Sequence, residues 1–128
     1  MAGFGTNRQY AADAISEDEE RRFLTAERPD GPIFGLRADA HGFSHIVTPT
    51  FVVGRDHGWF SAFCYRCNSH ERFRMTGLSY FDPFTGEALT RNFSEALAAG
   101  SQLRTEWMRR RKALRDSIRE EKRKNAQF

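Results

Sequence analysis

From Asn92 to its end the chain contains no proline, and Ala, Leu, Glu, Arg and Lys dominate. A run of that composition and length is predicted to form one long helix. Asn92 and Glu95 stand at capping-box spacing where it would begin. Ala96, Gly100, Leu103, Trp107, Leu114 and Ile118 recur at intervals of three, four or seven residues, which collects them into one apolar stripe facing the core or a partner. Helical to Lys124, the segment would measure roughly 45 Å at ~1.5 Å per residue, more than a domain of this size can cover. Its end is therefore expected to project.

The 128 residues suffice for one core and not for two. Twelve phenylalanines supply the dense apolar area that a small core needs. Ser16 and Glu19 form a second capping box, and the acidic residues 17–20 suit the positive end of a short helix that Pro29 would terminate. Between Ile33 and Tyr80, β-branched and aromatic residues come in short runs parted by Gly, Asp and Asn, the pattern of strands. Strands are expected near 46–53, 59–65 and 71–80, with an earlier one around 33–36. Pro49 requires an edge position or a bulge, and GRDHG (54–58) reads as a hairpin loop. FDPFTGE reads as a second turn. The expected fold is α+β: a small antiparallel sheet of three to four strands in a hairpin meander, a short N-terminal helix and a long basic C-terminal helix. Residues 1–15 are expected to form a flexible or partner-ordered arm, 16–103 a single small domain, and 104–128 a projecting basic helix and tail.

The segment FCYRCNSH holds both cysteines of the chain. Pairing Val53 with Trp59 across the loop sets Thr48 opposite Cys64 and His45 opposite Cys67. A tight turn at Cys64–Cys67 could converge two thiolates on a zinc ion, with His45 and His41 as the remaining ligands and His57 or His70 as alternatives. The strand, cysteine turn and strand resemble half of a zinc ribbon, without its second Cys-x-x-Cys. The competing reading makes the cysteines small apolar core residues. A thioredoxin-type redox pair is disfavoured, since its first cysteine belongs at a helix start.

No apolar run approaches the ~20 residues of a membrane span. The N-terminus lacks the pattern of a signal or transit peptide, and two closely spaced cysteines suit a reducing compartment. The expected location is intracellular: cytoplasmic, or within a nucleoprotein or viral assembly.

Between Arg104 and Lys124 stand ten Lys or Arg and four Asp or Glu, so this segment carries +6 while the rest of the chain sums to −3. Clustered cations create a local potential that attracts anionic partners. Arg109, Arg110, Arg111, Lys112, Arg115, Arg119, Lys122, Arg123 and Lys124 are the residues expected to meet phosphates. Arg66, Arg72 and Arg74, interleaved with Tyr65, Phe73 and Tyr80, could extend that surface onto the sheet. The first functional expectation is a non-enzymatic basic protein that docks on a nucleic acid or ribonucleoprotein, with no small-molecule substrate. The second is a protein-interaction or structural subunit, such as a virion component or an inhibitor of a host protein, anchored through Leu103, Trp107, Leu114 and Ile118. A Cys/His-dependent enzyme ranks third, because no P-loop, dinucleotide fingerprint, G-x-S-x-G or His-Glu-x-x-His motif occurs.

Overall fold

A computed structural model describes residues 14–26, 29–38, 42–54 and 57–126. Most of the expected arm, residues 1–13, lies outside them, while Ala14 and Ile15 are tied down: the Ile15 N–H donates to the Pro83 carbonyl and the Ala14 carbonyl accepts from Arg66. Helix α1 spans Glu17–Thr25, and its capping box is complete, with Ser16 Oγ accepting from Glu19 N–H and the Glu19 carboxylate accepting from Ser16 N–H. It stops at Ala26, ahead of Pro29.

Six strands follow: β1 (Phe34–Ala38), β2 (Ser44–Val53), β3 (Trp59–Cys64), β4 (Ser69–Arg74), β5 (Leu78–Phe81) and β6 (Ala88–Thr90). They form one antiparallel sheet in the order β4-β3-β2-β1-β5-β6. The sheet has six strands where the sequence suggests three to four, for two physical reasons. The run 71–80 is cut by a turn at Gly77, whose φ of 75° suits a residue without Cβ, so it yields β4 and β5 on opposite sides of the sheet. After β5, Asp82 Oδ1 accepts from the Phe84 and Thr85 N–H groups and folds the chain into the short edge strand β6.

Pro49 sits at a bulge. The β2–β3 register runs Val53↔Trp59, Val52↔Phe60 and Phe51↔Ser61, then shifts so that Pro49 meets Ala62 and Val47 meets Cys64. The expected pairing of Thr48 with Cys64 is therefore off by one residue, the residue the bulge absorbs.

Helix α2 spans Phe93–Ala126. Asn92 Oδ1 caps it by accepting from Glu95 N–H, but Glu95 does not return the bond: its carboxylate accepts from Thr90 Oγ1, which in turn accepts from Asn92 N–H. Gly100 brings the helix against the start of β1. A Cβ there would stand 2.9 Å from Pro32 Cβ and 3.0 Å from the Ile33 carbonyl oxygen, and the Gly100 carbonyl accepts from Ile33 N–H.

Strand alternation sorts the core onto two faces. On one, Phe34, Leu36, Val47, Phe60, Ala62, Cys64 and Tyr80 pack with Phe93, Ala96 and Leu103 of α2. On the other, Ile46 joins Phe23 and Leu24 of α1, with Ile33 and Trp107. Trp107 is fully buried and its indole N–H donates to the Phe23 carbonyl, locking α1 to α2. No described residue of α2 beyond Trp107 is buried.

Candidate metal centre and basic surfaces

The turn 65–68 between β3 and β4 is tight, with Asn68 at a φ of 53°. It lets the Cys67 N–H donate to Cys64 Sγ at 3.4 Å and turns both sulfurs to the same side. His45, two residues before Val47 on β2, shares the face of Cys64; its Nδ1 lies 3.5 Å from Cys64 Sγ and 3.6 Å from Cys67 Sγ. A fourth donor comes from β4. Glu71 pairs with Ala62, which puts its side chain on that same face, and its Oε2 stands 3.2 Å from His45 Nδ1. The donor atoms of His45, Cys64, Cys67 and Glu71 all lie within 4.8 Å of one another, so the cluster could hold a metal ion.

Electrostatically the four groups are poorly matched to one another. Glu71 Oε2 is buried and accepts no hydrogen bond despite the nearby imidazole, a cost of about 1–3 kcal/mol for a group so placed. Burial, followed by the neighbouring Cys64 and Glu71, pushes the Cys67 thiol up to about 12. A cation at the centre would satisfy the orphaned oxygen and replace the thiol protons.

Cys64, Cys67 and His45 come together as the sequence suggested, but the second histidine does not. His41 lies outside the described residues. His57 is exposed in the β2–β3 loop. His70, one residue from Glu71, points to the opposite face and packs on Phe63. Nothing in the linear sequence marks Glu71 as a partner for the cysteines, since it stands in a charged run on a strand beside Arg72. The signal that finds it is the β3–β4 register, in which Cys64↔Ser69 places Glu71 in the next row on the Cys64 side.

The basic residues of α2 divide in two. Glu106 accepts from both Arg109 and Arg110, Glu20 also holds Arg110, and Glu120 holds Arg123. Arg110 additionally lies over the Phe84 ring and Arg111 over the Trp107 ring. Among the described residues no ion pair reaches Lys112, Arg115, Arg119, Lys122 or Lys124. The first four of these follow each other at three- and four-residue steps and share one helical face. The apolar stripe divides as well: Leu103 and Trp107 are consumed by the chain's own core and cannot anchor a partner, while Leu114 and Ile118 remain half-buried.

On the sheet, the expected stacking residues are elsewhere. Tyr80 is fully buried with its hydroxyl donating to the Met75 carbonyl, and Phe73 packs on Phe60 and His45. Tyr65 lies between Phe23 and Phe63. Arg66 binds Glu19, Ser44 and the Ala14 carbonyl, which ties the cysteine turn to α1. Burial works against the charge of Glu19, but the Arg66 guanidinium and the Ser16 hydrogen bonds hold its carboxyl below the usual range. No family model, no curated protein and no solved structure matches the chain.

Proposed function

We propose that the chain is a non-enzymatic binding module, stapled by a structural zinc ion, that docks on a nucleic acid through the free half of α2. The observation that carries the docking is the row Lys112, Arg115, Arg119 and Lys122, four cations on one face of a helix, with no carboxylate of the chain spent on them among the described residues. A straight row of this kind lies along phosphates and gains affinity by releasing counterions. Binding a duplex of arbitrary sequence should weaken with salt at a slope of about −3 to −4 in log K against log salt, the value for about four neutralised phosphates. Changing the four residues to Glu should abolish it. Duplex binding that ignores both salt and the charge reversal would reject the proposal, and binding of a protein lost on Ile118→Asp would favour a protein partner instead.

For the metal, the donor set and its spacing support zinc. A tetrahedron with Zn–S of about 2.3 Å and Zn–N or Zn–O of about 2.0–2.1 Å has S···N edges of about 3.5 Å and N···O edges of about 3.3 Å. The three edges that meet at His45 Nδ1 are 3.5, 3.6 and 3.2 Å, and those among Cys64, Cys67 and Glu71 lie within 4.8 Å. Four protein donors close the shell, which suits a structural ion that joins β2, β3 and β4 and leaves no position for a substrate. Native mass spectrometry of untagged protein should show one zinc per chain, lost in Cys64→Ser. A metal-free spectrum under mild conditions would reject the assignment.

A further inference from the structure

We infer that the face of β2, β3 and β4 turned away from the metal centre is a stacking platform for single-stranded nucleic acid. The inference shares its ligand class with the docking reading above but rests on different residues. Strand pairing places Phe51, Ser61 and Arg72 in one row of this face and Val53, Trp59 and Arg74 in the next, with Phe63 and His70 further along. Phe51 is 59% exposed, and Val53, two residues along on the same face, is 39% exposed. Its ring lies 5.9 Å from that of half-buried Trp59, and the Arg72 guanidinium sits 4.0 Å over the Trp59 ring. The Phe63 and His70 rings stand 5.3 Å apart. At the α1 end the face runs into a cleft of about 950 Å³ whose walls include Phe63, Tyr65 and His70 together with the carboxylates of Glu19 and Asp30, so the platform is confined to the strands.

The charge on this face selects the occupant. Glu71 is the one carboxylate of β2, β3 and β4, and it belongs to the opposite side. Arg72 and Arg74 have no ion-pair partner among the described residues. An apolar protein surface would have to bury two guanidinium groups without compensation. A polynucleotide brings a phosphate with every base. Only an unstacked strand also offers base faces to the rings, because a duplex keeps them covered. Arginines on an outer strand also deter edge-to-edge pairing. That role asks for charge alone and leaves the exposed rings beside them without a purpose.

The test uses the full chain with its metal retained. Oligothymidylate of about 12 nucleotides is titrated while tryptophan emission is read, and a duplex of equal length is compared. Trp107 is fully buried, so a stacking base should quench the half-exposed Trp59. The single strand should bind more tightly than the duplex. Phe51→Ala should weaken the single strand roughly fivefold or more and leave the duplex unchanged. Trp59→Phe should keep binding and remove the quench. Thermal melting of each variant shows that the fold is retained, and Arg72→Ala, which removes an exposed side chain, gives a second reading of the same loss. Equal affinity for the two probes, with both lost on reversing the charges of Lys112, Arg115, Arg119 and Lys122, overturns this inference and leaves the docking reading standing. Binding that Phe51→Ala and Arg72→Ala do not alter also overturns it. No binding of either probe overturns both.

Discussion

At Gly100 two residue-level preferences oppose each other. Alanine would favour the helix by about 1 kcal/mol, yet its Cβ would crowd Pro32, Ile33 and the ring of Phe34. Overpacking of this kind costs about 1–3 kcal/mol, so Gly100→Ala should lower the urea midpoint at unchanged slope; an increase would show that α2 can move off β1. At the cluster of His45, Cys64, Cys67 and Glu71, the sign of the pH dependence of metal binding follows from Cys67. Its thiol, held up to about 12, keeps its proton at neutral pH in the metal-free chain, and an ion must displace that proton to bind. Zinc affinity should therefore rise with pH by about tenfold per unit for each proton released, read by competition with a chromophoric chelator. Glu71→Gln, which keeps the shape and removes the charge, should weaken zinc by at least about tenfold. The cysteines and His45 were legible because thiol and imidazole announce themselves. Glu71 was not, since a glutamate beside an arginine in a strand looks like any solvated pair until the register shows which side it takes.

Elements were legible where local chemistry decides them. The Ser16 and Asn92 caps and the proline-free helix depend on neighbours within four residues, and all three appear in the structure. The sheet was read less well because its parity is set by events that propositions about propensity do not count. One extra residue near Pro49 reverses which side Phe51 and Val53 take, and a single glycine splits 71–80 into strands at opposite sides of β1. The Glu106 ion pairs within α2 carry their own pH signature. Hydrogen bonds from Arg109 and Arg110 hold the Glu106 carboxyl down at about 2, below its ordinary 4.5. A carboxyl lowered on folding stabilises the fold above its unfolded value and loses that contribution as the pH falls through the folded one. The melting-temperature difference between the parent and Glu106→Gln should be constant above about pH 5 and shrink towards pH 2. A difference that persists at pH 2 would assign the effect to packing instead.

For the molecule as a whole, the long last helix was legible in its proline-free composition, and burial along it ends at Trp107 among the described residues. What composition could not show is that the body spends Arg66, Arg109 and Arg110 on its own carboxylates, so that the cations left over begin later than the basic run does. No described residue beyond Trp107 is buried, and Leu114 is the last to touch the α1 core. A chain ending at Ser117 should consequently melt within a few degrees of the parent while losing duplex binding; a collapse in stability would mean that the distal helix braces the body. Strand β4 is shared by both sides of the sheet: Glu71 and Phe73 serve the inner side, His70, Arg72 and Arg74 the outer. Adding or deleting one residue between Cys67 and Glu71 would exchange the two sets at a stroke, turning arginines towards the His45 and Cys64 side and the carboxylate towards solvent. In a deep indel scan this short stretch should tolerate many substitutions and almost no change of length.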